Sequence, residues 1–282
     1  MNHELEGWRR YGVVFGGGVA AAFVCSAAVP FLVASTGTIG PTALQAQSPL
    51  TALAAMIILF ALAAGLSGLV GRYVNAAVGL FVLGAGLWAL RLQSATAVDL
   101  AFAEGSLVLA AVETAMWGVL VLGGTAIVFR IAGRLTDILP ADNSTATPWW
   151  KRHGLPGAAC GVLVLPGVWL FARSPLQGQT LMAVVMGAMA AGLVGRLVSP
   201  HAQPVLLFAM PCFFGAAGSL VAAMTVSGPL ADAVVNGTLP VLSLPMPIDY
   251  AAGSLMGVAM GAGWARSFLH EDEDEPAAAP GD

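Results

Sequence analysis

Residues 50–90 form a run in which Arg72 is the one charge and Asn75 the one strongly polar side chain. As a single helix this run would extend about 60 Å at about 1.5 Å per residue, twice the hydrocarbon thickness of a bilayer. It must fold back on itself, and Gly71-Arg72-Tyr73-Val74-Asn75 supplies the corner. The rest of the chain has the same character. Of its 282 residues 58% are hydrophobic and only 9% charged, against about 25% charged in ordinary soluble domains. Too little charge is available to coat a globule of this size, so the expected fold class is an all-α integral membrane protein.

Eight apolar stretches read as transmembrane helices: 11–34, 51–71, 73–90, 106–131, 156–171, 180–198, 205–226 and 247–269. Charge fixes their orientation. With the N-terminus inside, the inner face carries Arg9, Arg10, Arg72, Arg130, Arg134, Lys151, Arg152, Arg196 and Arg266, and the outer face only Arg91 and Arg173. This positive-inside asymmetry puts both termini in the cytoplasm of a plasma or inner membrane. The opening arginines followed by an apolar run ending near Ala43-Leu44-Gln45-Ala46 resemble a cleaved signal, but the run is long for one and its pattern returns in mid-chain, so it is read as a retained span.

That return points to a duplication. Trp8-Arg9-Arg10-Tyr11-Gly12 is echoed by Trp150-Lys151-Arg152-His153-Gly154, and Gly68-Leu69-Val70-Gly71-Arg72-Tyr73-Val74 by Gly192-Leu193-Val194-Gly195-Arg196-Leu197-Val198. Gly105-Ser106-Leu107 recurs as Gly253-Ser254-Leu255, with Trp117 and Trp264 following at similar distances. Landmarks repeated in order indicate one unit used twice. The expected organisation is a first four-span repeat (1–133), a cytoplasmic linker (134–147), a second four-span repeat (148–270) and a disordered acidic tail (271–282). An even number of spans per copy makes the repeats parallel rather than inverted.

Rare residues exclude most chemistry. The single lysine, Lys151, belongs to no Gly-Lys-Ser/Thr loop and lies in a polar connection, so neither nucleotide hydrolysis nor a retinal Schiff base fits. His3, His153, His201 and His270 sit in the N-terminal arm, in loops or at span ends, and Cys25, Cys160 and Cys212 form no Cys-x-x-Cys pair. No metal, no cofactor and no catalytic constellation is expected, and a net charge of −4 offers nucleic acid no basic face.

Within a bilayer, helices associate through close backbone approach. Ala64-x-x-x-Gly68 with Gly71, and Ala188-x-x-x-Gly192 with Gly195, place the second and sixth spans centrally, against each other or against neighbours of their own repeat. Pro30, Pro166 and Pro211 interrupt the first, fifth and seventh spans as kinks, and Trp8, Trp88, Trp149, Trp150 and Trp169 read as interfacial anchors.

Glu113 is the one carboxylate well inside a span, about two turns from its outer end. A charge there costs on the order of 3 kcal/mol on insertion scales, so the group is either protonated or faces a wet cleft. With Thr114 beside it and Trp117 one turn on, it forms a candidate transport or proton site. Asp249 reads as a helix cap at the start of the last span. Arg72 and Arg196 are candidate contacts for an anion or lipid headgroup, and Glu271-Asp272-Glu273-Asp274-Glu275 would suit a basic cytoplasmic partner. The other expected partners are the bilayer itself and a second copy or a membrane complex. Two functions fit this pattern: a small permease or channel-like transporter with its path between the repeats, or a non-catalytic accessory subunit of a membrane complex.

Overall fold

The computed structural model describes residues 2–135, 138 and 154–269, with side chains described from Gly7 onward. The expected linker beyond these residues, the acidic tail, Trp149 and Trp150 lie outside them. Among the described residues the fold is all helical, with only two isolated bridges of extended backbone, Val33 to Ile39 and Ala34 to Ala46. Five helical stretches are long and apolar enough to cross a membrane.

The first half contains α1 (Asn2–Ser26), α2 (Pro49–Tyr73), α3 (Ala76–Arg91), the short α4 (Ala97–Phe102) and α5 (Leu107–Ala132). The second contains α6 (Leu155–Ala159) and α7 (Val164–Phe171) joined by a 3-10 turn, then α8 (Gln177–Val198), α9 (Val205–Thr225), the short α10 (Leu230–Val235) and α11 (Pro247–Leu269). The corner after α2 falls at Val74, and Asn75 caps α3 by accepting the Val78 N–H at 2.8 Å. Ser106 caps α5 in the same way from Leu109, and Thr96 with Asp99 forms a capping box on α4.

Two prolines act differently from the kinks that their positions suggest. Pro30 follows the end of α1, which stops at Ser26 and gives way to a 3-10 turn, Val29–Phe31, so the first helix ends eight residues short of position 34. A residue before proline is pushed away from helical torsions, and the ring lacks a donor. Residues 27–48 then fold into a compact cap in which Leu32, Thr42 and Ala43 are fully buried. In the fifth stretch the residues ahead of Pro166 tighten into the 3-10 turn Cys160–Leu163, because Pro166 cannot donate to the carbonyl of Val162 and its ring crowds it. Pro211 alone lies inside a continuous helix.

In the first half α1 packs on α2 and α3, and α2 packs on α3 and α5; in the second, α7 packs on α8, and α11 on both α8 and α9. The halves join through α3 against α11, α5 against α9, α5 against α11, and α4 against α10. Every residue of α11 from Pro247 to Ala259 is buried. Gly253, Gly257 and Gly261, spaced one turn apart, bring its backbone onto α8: a Cβ on Gly253 would lie 2.6 Å from Val184 Cγ1. From the other side, a Cβ on Gly192 of α8 would lie 2.6 Å from the Val258 carbonyl oxygen. Gly68 meets Ile131 and Gly71 meets Ala132, both on α5, while Gly195 meets the Gly157 carbonyl and Leu207, and Ala64 and Ala188 are fully buried. The small-residue faces of α2 and α8 thus lie against helices of their own halves.

One sequence landmark occupies different places in the two halves. Gly105-Ser106 ends the connection into α5, whereas Gly253-Ser254 lies nearly two turns inside α11. The resemblance of those tripeptides therefore does not align the two helices.

Candidate site in the groove between α2 and α5

The buried face of α5 carries Ala110, Glu113, Thr114, Trp117, Val121 and Thr125, which recur at helical spacing. Glu113 is 1% exposed and Trp117 2% exposed. The Glu113 carboxylate is held from above by the cap of residues 27–48: its Oε2 accepts the Leu44 N–H at 2.8 Å. The adjoining Ala43 backbone and the Trp117 side chain also face the carboxyl. Among the described residues its second oxygen, Oε1, is buried with no hydrogen-bond partner. Gln45 fixes the cap onto the same helix, accepting the Ser106 N–H through Oε1 at 2.5 Å and donating to the Ser106 carbonyl through Nε2 at 3.2 Å.

Glu113 and Trp117 border a groove of about 260 Å³ between α2 and α5. Leu53, Met56 and Ile57 line it from α2, and Met116, Val119 and Leu120 from α5; the wall it presents to the outside is wholly apolar. Ile57 and Val119 are strongly exposed at its mouth, so it opens on the side of the bundle. Trp117 closes its inner end by packing edge-on against Phe60, with ring centroids 5.6 Å apart. Thr114 is not among the residues lining the groove, and its hydroxyl donates to the Ala110 carbonyl of its own helix at 2.8 Å.

A second polar cluster escaped the reading of the sequence. Arg91, counted there as an outer topological charge, is fully buried at the end of α3 and makes a salt bridge with Asp249 of α11. Its Nε donates to Asp249 Oδ1 at 2.7 Å, and its Nη1 to the Ser94 hydroxyl at 3.1 Å and the Ala95 carbonyl at 2.9 Å. Asp249 Oδ2 accepts the Met246 N–H at 2.7 Å and the Thr180 hydroxyl at 3.2 Å. Asp249 is therefore both a cap of α11 and one half of an ion pair that ties α3 to α11 and α8. The available signal was two opposite charges assigned to the same end of the bundle, next to the Gly253, Gly257, Gly261 stripe.

The two repeat-matched arginines differ. Arg72 is exposed at the end of α2, whereas Arg196 is buried and its Nη1 donates to the Pro200 carbonyl at 2.5 Å. The two guanidiniums therefore stand in different surroundings, one open and one turned onto its own chain. Comparison with protein-family models, curated proteins and solved structures finds no match for this chain.

Proposed function

We propose that this multi-pass membrane protein is a small, non-catalytic permease whose solute site is Glu113. One observation carries the reading: a buried carboxyl with one oxygen fixed by the Leu44 N–H and the other unpartnered, at the wall of a groove that reaches the side of the bundle. Ionisable groups at such depth are expensive and mark solute or proton pathways. The site belongs inside the first half rather than between the halves. Where α3 meets α11, a Cβ on Gly84 would lie 2.7 Å from Met256 Cγ, and where α5 meets α9, one on Gly118 would lie 2.9 Å from the Phe213 ring. Interfaces closed to that degree leave no passage between those helix pairs.

The same contacts are consistent with the proposed pair of parallel repeats. If α3 corresponds to α9 and α5 to α11, the pairs α3–α11 and α5–α9 are one interface seen twice, and α4–α10 lies on the axis between them. Gly84 then matches Phe213, and Gly118 matches Met256. This register puts Ala251 opposite Glu113. The helices α3 and α11 need little apolar surface in this arrangement because protein surrounds them.

Proteoliposomes holding the purified chain, offered a panel of small organic solutes, test the reading. At least one solute is expected to move faster than in protein-free vesicles, with the rate falling tenfold or more in Glu113→Gln. Flux that is equal in the variant, or no flux from a monodisperse protein, overturns it.

The close-packed junction between the halves favours a second reading, an accessory subunit that needs no path. Extraction in a mild detergent followed by native mass spectrometry separates the two. A stoichiometric foreign partner supports the subunit, and a monomer or homo-oligomer the permease.

A further inference from the structure

We infer that the α2–α5 groove is a binding site for a lipophilic amine in its protonated form, with Glu113 Oε1 as the acceptor of its N–H. The inference deepens the permease reading by naming a class of solute, but it stands on binding alone. Three features of the site converge on this ligand. The cavity, about 260 Å³, lies just below the lower end of the range of ligand pockets, about 300 Å³, so it suits a compact body rather than a long peptide or a sugar. Its outward wall is wholly apolar, which rejects hydrated solutes and admits molecules dissolved in hydrocarbon.

The third feature is the carboxyl. A buried polar atom without a partner costs free energy that a fitting donor recovers. Oε2 already holds a backbone N–H, and Oε1 has none. No basic side chain lines the groove among the described residues, and the buried guanidinium of Arg91 is committed to Asp249. A carboxylate among apolar walls is complemented best by a cation that brings both charge and N–H donors. A neutral alcohol supplies one donor and no charge, and an acyl chain supplies neither. Met56 and Met116, which stand at the groove wall, are unbranched and adaptable, so the wall can reshape around a ligand.

The test uses the purified full chain in a nonionic detergent and calorimetric titration with 1-adamantylamine, which is charged at neutral pH, and with 1-adamantanol, a neutral molecule of the same shape. The amine is expected to bind at least tenfold more tightly than the alcohol. Glu113→Gln should remove that preference while leaving the alcohol's affinity within about twofold, and Met56→Trp, which adds bulk at the α2 wall of the groove, should weaken both. Equal affinities, a preference that survives Glu113→Gln, or no binding of either molecule because lipid or detergent tails hold the groove would each overturn the inference. If Glu113→Gln does not fold, the amine-to-alcohol ratio in the unaltered chain and the weakening of both molecules in Met56→Trp still decide. Because no flux is measured, binding without transport would retire the permease and leave the amine site standing.

Discussion

Replacing Asp249 with alanine is expected to destabilise the protein by about 3–5 kcal/mol, the cost of breaking a buried ion pair by removing one partner. The magnitude follows from what remains. Arg91 keeps its bonds to Ser94 and Ala95 but loses its counter-charge while 0% exposed, and one of its nitrogens, Nη2, already lacks a partner. The same substitution strips the Met246 N–H and the Thr180 hydroxyl of their acceptor, loosening the first turn of α11. Asp249→Asn retains an acceptor for that turn and removes only the charge, so it should fall between the wild type and alanine. The informative control is Arg91→Met with Asp249→Leu. Removing both charges and filling their volume with apolar atoms should recover most of the lost stability, since desolvation of both ions disappears together. Thermal unfolding in detergent measures all four proteins. A double variant no more stable than Asp249→Ala would show that the pair is not the source of the effect.

Gly257→Leu carries the next largest expectation, a loss of about 1–3 kcal/mol or more from overpacking. The position faces the backbone of α8, where an added Cβ would come 2.7 Å from Ala188 Cβ and 2.9 Å from the Met189 nitrogen. Backbone cannot step aside as the end of a side chain can, so α8 and α11 must separate along their length. Gly263→Leu is the matched control: it lies on the same helix, is exposed and has nothing within 4 Å of the new carbon. Both substitutions raise helix propensity equally, so the difference between their unfolding midpoints isolates the interface. Similar midpoints for the two variants would refute the close approach of α8 and α11.

The sequence made the apolar stretches and the corner at 71–75 legible because both follow from length: a run too long for one crossing must turn, and Asn75 is where a cap is available. Other features depend on where a helix sits among its neighbours, which hydropathy does not encode. Arg91 read as a charge at a span end, and nothing local distinguishes one that faces water from one turned inward onto Asp249. The last span illustrates the converse. It is buried by protein on all sides over much of its length, so it is rich in glycine and alanine, and its close packing on α8 lies in a glycine stripe rather than in apolarity. The start of the cap at 27–48 was hidden by the apolar run that precedes it, with Pro30 as its marker there. Glu113 stood out as a lone carboxylate, but its partner, a backbone N–H of that cap, has no sequence signature.

The separation of Arg91 from Asp249 has a consequence for how the chain is made. The two residues stand 158 positions apart, and synthesis at about 5–20 residues per second leaves about 8–30 seconds between their emergence. Throughout that interval the first half is in place with its arginine unmatched. Burying a guanidinium without its counter-charge costs several kcal/mol, about 3–5 kcal/mol when one partner of a buried pair is missing, so the burial of Arg91 is favoured only once Asp249 is present. A chain that stops before α11 therefore lacks the carboxylate that pairs with this guanidinium in the folded protein.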